Sequence, residues 1–452
     1  MDLKSESFLE ISSTLLIIFL LTVFSSLPIL SILGTGLFMF FAFRFYHNIG
    51  KAIEIRDIMA LIAIMQWIIG PILTYTFYPD NKFYYMSVEQ EIYMRFTFWA
   101  TFGFVFGLYL PFWKSKMSAE FIITQVKATI SQHPFLDILL IIAGMFFYLI
   151  EKVSPGGLKF FFVLLGGMRF IGLYFLLVGN RKNKIIWLAL VLGWLLISAI
   201  SQGMFHDLIL WISFLIMITA LIVQYTQRQK ALIFITFIFS ILIIQTIKHE
   251  FRSESSTVTD TGSKATIFLK LTRDKLTNPE NILSDNYLDA SINRLNQGWI
   301  VSRIMAWTPN FEPFADGETI WRGLESALLP RFLAPDKEIA GGRTYFKRFT
   351  GRNINASTSM GLSPLGEAYA NFGINGGILF MLLLGLFYNY YLYQVFRLTE
   401  FYPTLIIWIP LLFLQVIKAE TDFAVVINHL SKASITVWII FFGFRKFLGI
   451  KL

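Results

Sequence analysis

The feature that most constrains this chain is its supply of long apolar runs. Twelve stretches, each near the roughly 20 residues a helix needs to cross a bilayer, follow one another along the sequence. They lie at about 10–27, 29–46, 57–78, 93–113, 135–152, 158–179, 185–201, 208–226, 231–247, 374–395, 403–418 and 432–448. A lipid core offers no water to backbone N–H and C=O groups, so such runs fold as helices, which satisfy those groups internally. The expected fold is an all-α polytopic membrane protein with about 12 transmembrane helices and one large helical loop. Composition excludes a soluble globular enzyme: 56% of the 452 residues are hydrophobic and only 15% are charged, against roughly a quarter in soluble domains. The absence of Cys excludes disulfides, thiolate nucleophiles and iron–sulfur centres together. The first run lacks the short apolar core and small-residue cleavage site of a signal peptide, so it reads as a retained helix.

Orientation follows from the basic residues of the short connections, which accumulate on the cytoplasmic side. Lys51 and Arg56, Lys114, Lys116 and Lys127, Arg181, Lys182 and Lys184, Arg228 and Lys230, and Arg397 fall in one set of connections. The other set is poor in them: residues 80–91 carry Asp80, Glu89 and Glu91 against Lys82, and 201–207 carry no Lys or Arg. Both termini are therefore expected to be cytoplasmic, and the one long connection extracytoplasmic. The chain divides into 1–248 with nine spans, a loop domain at 249–373, and 374–452 with three spans. Residues 249–372 contain 14 basic and 14 acidic residues, so the net charge of +9 reports topology and removes a nucleic-acid reading. Ile122, Val126 and Ile130, at helical spacing among lysines in 115–134, predict a helix lying in the membrane interface.

The loop keeps apolar periodicity between turn signals and is expected to fold against the bundle. Ser284 or Asp285 can cap a helix whose stripe runs through Leu288, Ile292, Leu295 and Trp299 and lands on Arg303. An arginine there must meet an anion or reach water. Arg294 points to the neighbouring face. Further on, Arg322, Arg331, Lys337, Arg343, Lys347, Arg348 and Arg352 crowd together, and Arg331 stands between Pro330 and Phe332, where solvation is hard. Guanidinium groups grip phosphate through paired hydrogen bonds and stay charged at any working pH, which suits a lipid-linked phosphate; a solvated basic face or lipid headgroup contact is the plain alternative. Glu367, among small and aromatic residues before the tenth span, suits a general base, or equally a helix-capping or Arg-paired carboxylate. Lys248, His249, Glu250 and Arg252 stand at the exit of the ninth span, and Lys418, Glu420, Asp422 and His429 between the last two. Boundary charges of this kind are functional candidates by default. His47 and His133 read as structural, and His206 lies in a short outer connection. No HExxH, clustered histidines or DxD signature calls for a metal, and no P-loop or dinucleotide fingerprint calls for a nucleotide cofactor.

In order along the loop, IKHEFR with Lys248 and Arg252, NRLNQGW with Arg294, PFADGET with Gly317, Glu318 and Thr319, LPRFLAPDK with Pro330, Arg331, Pro335 and Lys337, and LGEAYANFG with Gly366, Glu367 and Phe372 resemble the bacterial oligosaccharide repeat-unit polymerases, the Wzy or O-antigen polymerase family. Roughly Lys248 to Gly377 carries the resemblance; Ala334 stands where the family often has an aromatic residue. The resemblance implies a glycosyltransferase of the bacterial cytoplasmic membrane, similar in fold to the GT-C type. It would transfer a growing glycan from undecaprenyl pyrophosphate to a sugar hydroxyl of the incoming lipid-linked unit, without metal or cofactor. Arg294, Arg303, Arg331, Lys337 and Arg343 are then expected to recognise pyrophosphate and sugar, with Lys248 and Arg252 beside them. Glu367 is the first choice of base, and His249, His429 and Asp422 are reserves. The implied partners are the undecaprenyl-pyrophosphate-linked oligosaccharide, membrane lipid, a chain-length regulator and a flippase. A ligase has similar loop chemistry with another acceptor. A flippase or exporter would carry its cations along a central cavity, and a membrane scaffold would not need arginines gathered with Gly and Pro.

Overall fold

The computed structural model describes residues 3–51, 53–81, 83–111, 119–179, 181–255, 258, 260–278, 291–328, 342–355 and 359–452. Among the described residues the regular structure is helical, with no strand. Eight helices are long and apolar enough to cross a membrane: Ile29–Asn48, Ile55–Phe77, Leu158–Gly179, Lys184–Gln202, His206–Val223, Gln227–Lys248, Ser363–Leu398 and Phe423–Phe447. A ninth is reached if Ile123–Gln132 and Leu136–Val153, bent by 88°, count as one span. Large apolar side chains such as Phe19, Ile185, Leu232 and Trp438 stand exposed on the flanks of the helices, a surface suited to lipid and costly in water. By length and composition this is a multi-pass membrane protein.

Three expected spans are not among these helices. The first is the helix Leu3–Phe24, whose apolar part, Phe8–Phe24, is shorter than the eight. The run at 93–113 is the helix Gln90–Tyr109, which carries Glu91 and Arg95 and dilutes its Phe residues with Tyr, Trp and Thr. The run at 403–418 forms only the nine-residue helix Leu405–Phe413, which contains Pro410; proline lacks the N–H that would continue the ladder.

Inside a membrane, helices associate by close packing rather than by escape from water. Gln90–Tyr109 lies along Ser363–Leu398 in this way: a Cβ at Gly385 would strike the backbone carbonyl of Phe104, and one at Gly107 the backbone of Leu382. Asn389 Nδ2 then donates to the carbonyls of Gly107 and Leu110 at 3.2 and 3.0 Å, closing the end of the shorter helix. Ser363–Leu398 bends at Gly373, whose φ of 65° is open to glycine and strained for other residues. The bend falls where the loop region was expected to meet the tenth span. Gln227–Ser255 likewise continues beyond residue 248 as one helix.

The loop is held onto the bundle by a defect in a spanning helix. Residues Met65–Ile69 form a π turn between Ile55–Ile64 and Gly70–Phe77. A π turn leaves a backbone carbonyl without its helical partner. Gln66 O accepts from Gln297 N at 3.2 Å, and Trp67 O accepts from Tyr93 Oη at 2.8 Å. The stripe expected to run unbroken to Arg303 is interrupted for this purpose. One helix ends at residue 295, and a second, Gly298–Trp307, starts after Asn296 and Gln297. Buried Asn296 caps the restart by accepting from Trp299 N at 3.0 Å, while donating to Thr74 Oγ1 at 2.8 Å.

The stripe expected to face the membrane interface falls on the helix Ala119–Gln132, where two of its residues meet protein. Val126 and Ile130 are buried, and Val126 lines an apolar recess with Ile53, Val178, Ile218 and Ile407.

Candidate functional site

At the end of the bundle that carries the large loop, three cations from separate stretches of sequence converge. Lys248 and Arg252 lie one helical turn apart on Gln227–Ser255, and Arg294 comes from the short helix at 291–295. The charges of Arg294 and Arg252 both act on Lys248. Burial, and then the Arg252 guanidinium, hold the Arg294 guanidinium below its ordinary value. Among the described residues none of the three has a carboxylate within ion-pair distance, and the one side-chain hydrogen bond shown for them is from Arg252 Nε to Gly203 O at 3.0 Å. The carboxylate whose charge reaches Lys248 is that of Glu420, beyond ion-pair distance; like charges gathered with so little compensation are unfavourable in the free protein and are relieved by an anion.

Beside them stand Glu420, His206, Lys418 and Asp207. Lys418 Nζ donates to Asp207 Oδ1 at 2.8 Å. His206 Nδ1 is 3.8 Å from Glu420 Oε1, and Glu420 Oε2 accepts from Gln66 Nε2 at 3.0 Å. The connection that supplies Lys418 and Glu420 also supplies the next two contacts in the opposite direction. Asp422 Oδ1 accepts from Leu362 N at 2.6 Å, and Phe423 N donates to Glu367 Oε1 at 2.8 Å. One short segment thus faces the cations on one side and the Glu367 region on the other.

Glu367 is a buried anchor in this arrangement, 2% exposed. One oxygen receives the first N–H of Phe423–Phe447, a helix N-terminus that favours negative charge, and the other receives Thr319 Oγ1 at 3.1 Å. Asn371 Nδ2 bonds Thr319 Oγ1 at 2.7 Å and Glu367 O at 2.8 Å, and its Oδ1 accepts from Gly317 N at 3.1 Å. The GET segment and Glu367 therefore meet in space, as one lock between the loop and the last helix. Asp422 packs against Gly361 and Gly342 so closely that a Cβ at either would meet its carboxylate.

The other expected site residues are scattered. Arg303 is half-buried and donates from Nε to Thr350 O at 2.9 Å, with its guanidinium 5.7 Å from the Trp307 ring centre. Arg343 is exposed at the start of the helix Arg343–Thr350. His429 is buried and bonds Leu411 O through Nε2 at 2.9 Å, with its ring edge on Phe160. The backbone of His249 continues the helix between Lys248 and Glu250. Arg331 and Lys337 lie outside the described residues. Within the basic cluster of the loop, Arg348 is taken by Glu312 at 2.6 Å and Glu318 at 2.8 Å, and Arg322 by Glu318 at 2.9 Å. The hydrogen bond from Arg348, with its charge, holds the Glu318 carboxyl below its ordinary range. Arg352 donates to Phe83 O at 3.1 Å and lies over Tyr85.

No family model, curated protein or solved structure matches this chain. The site therefore speaks through its own geometry. Among the described residues no three His, Asp or Glu side chains are grouped to hold a metal ion.

Two of the buried polar residues that went unread in the sequence carried a signal there. Gln66, at the site, lies within an apolar spanning run four residues before Gly70 and carried a signal, since a buried amide in a spanning helix needs a partner. Arg169 carried one as well: it is buried inside the Leu158–Gly179 segment, donates to Gly166 O at 2.7 Å and lies 4.4 Å from the Tyr148 ring centre.

Proposed function

We propose that this protein is a membrane glycosyltransferase that joins lipid-linked oligosaccharide repeat units, moving the growing glycan from undecaprenyl pyrophosphate to a sugar hydroxyl of the incoming unit. The reading takes the twelve-span GT-C-type layout, with both termini cytoplasmic and the large loop outside a bacterial cytoplasmic membrane. The observation that carries it is the meeting of Lys248, Arg252 and Arg294 at the end of a helix long and apolar enough to span, without ion-pair partners among the described residues. A diphosphate leaving group develops negative charge as its bond to the anomeric carbon breaks, and fixed cations stabilise that charge where a metal otherwise would. Lysine and arginine both supply such charge, and arginine adds paired hydrogen bonds to the phosphate oxygens.

The test is the size profile of surface and lipid-linked glycans in a deletion strain carrying wild-type or Arg294→Ala protein. Polymerisation predicts a ladder with wild type and single repeat units with the variant. Long chains held on the lipid carrier in the deletion strain would point to a ligase, units trapped on the cytoplasmic face to a flippase, and an unchanged profile would end the glycan reading.

A further inference from the structure

A transfer of this kind needs a base for the acceptor hydroxyl, and the carboxylates near the site differ sharply in whether they are free to act. Glu367 is buried and accepts from Phe423 N and Thr319 Oγ1. Asp422 is held by Leu362 N and enclosed by Gly361 and Gly342. Asp207 is paired with Lys418 at 2.8 Å, and Glu250 with Lys275 at 3.2 Å. Glu420 has no Lys or Arg within ion-pair distance among the described residues, and its side chain is 36% exposed. Gln66 Nε2 fixes one oxygen at 3.0 Å, while the other stands 3.8 Å from His206 Nδ1 with no hydrogen bond among the described residues. The charge of Lys248 acts on both Glu420 and His206. A carboxylate held by one oxygen, open at the other and adjacent to an anion-binding cation has the geometry of a general base.

We propose that Glu420 is the catalytic base of the transfer, an inference that rests on the polymerase reading. The acceptor hydroxyl oxygen bonds to the anomeric carbon of the donor sugar, and its proton passes to Glu420 Oε1. The bond from the anomeric carbon to the diphosphate oxygen breaks, and its electron pair leaves on the diphosphate beside Lys248, Arg252 and Arg294. Gln66 is a positioning residue: it aims the carboxylate through its side chain and holds the segment after Arg294 through its carbonyl, which accepts from Gln297 N at 3.2 Å.

The experiment uses full-length wild-type protein, Glu420→Gln, Glu420→Asp and Lys248→Ala in detergent, with added undecaprenyl diphosphate as the probe of anion binding and the glycan ladder in cells as the probe of transfer. Glu420→Gln is expected to keep the wild-type rise in Tm with the diphosphate and to lose polymer by about 100-fold or more, while Glu420→Asp recovers part of it. Lys248→Ala is expected to lose both. A wild-type ladder from Glu420→Gln, or loss of the diphosphate response together with the ladder, would overturn the base assignment and leave the polymerase reading standing. Wild-type protein that gives neither ladder nor diphosphate response would overturn that reading itself.

Discussion

Gln66 Nε2 donates to Glu420 Oε2 at 3.0 Å, joining residues 354 positions apart in the chain. The same residue offers its backbone carbonyl to Gln297, three positions after Arg294, because a π turn has released that carbonyl from its own helix. A single irregular turn thus holds the carboxylate and the cation-bearing segment in one frame. Replacing Gln66 by Leu removes the side-chain contact and leaves the backbone contact. Polymer formation is expected to fall about tenfold, the equivalent of one net hydrogen bond to a charged group, with the protein still folded by gel filtration.

The cations of the cluster act against one another. Arg294→Met removes one member of a group whose charges oppose each other, so the variant is expected to unfold at a higher temperature than wild type in detergent without added lipid. It is also expected to lose its thermal response to undecaprenyl diphosphate. A lower Tm for Arg294→Met would show that the guanidinium stabilises the free protein.

Glu367→Ala leaves the Phe423 N–H and the Thr319 hydroxyl without this acceptor. A buried donor left unpaired costs about 1–3 kcal/mol, so a clear fall in Tm is expected, whereas Glu367→Gln keeps an acceptor oxygen and loses less. If both variants keep the wild-type Tm while polymer disappears, Glu367 acts in the chemistry and not as the anchor of the last helix.

Packing predicts a contrast between two glycines. Gly385 sits against the Phe104 carbonyl, while a Cβ at Gly443 meets nothing within 4 Å. Gly385→Leu is expected to abolish folded protein in the membrane fraction, and Gly443→Leu to leave its amount unchanged. Equal yields from the two would remove close backbone contact as the cause of this helix pairing.

At the opposite end of the bundle, buried Asp57 accepts from Arg44 Nε at 3.1 Å, Asn48 Nδ2 at 3.2 Å and Tyr109 Oη. Burial, and then the Asp57 carboxylate, push the neighbouring Glu54 carboxyl up to about 8 from an ordinary 4.5. A carboxyl raised in the folded state contributes its full stability below the unfolded value and loses it as pH climbs through the folded one. Glu54→Gln supplies a permanent neutral donor. Its Tm is therefore expected to match wild type near pH 4.5 and to exceed it increasingly up to about pH 8. A gap between the two that does not change over this range would place Glu54 outside the network.

The class of fold and the whereabouts of the charge were legible in the sequence. Apolar runs near bilayer length can satisfy their backbone only as helices, and this holds whatever they pack against. Lys248 and Arg252 stood out because cations at the end of a spanning helix need a reason, and Arg294 through the resemblance of the segment NRLNQGW. Their convergence did not, since it depends on a π turn and on a helix break at Asn296 and Gln297 that continuous periodicity conceals. The roles of the acids came from tertiary contacts. Glu367 and Glu420 are the same side chain in the sequence. One receives a helix N-terminus and a buried hydroxyl, and the other is held by a single amide beside the cations. Partners that distant in the chain leave no local periodicity, so hydrogen-bond geometry between remote segments fixes which carboxylate supports the fold and which faces the site.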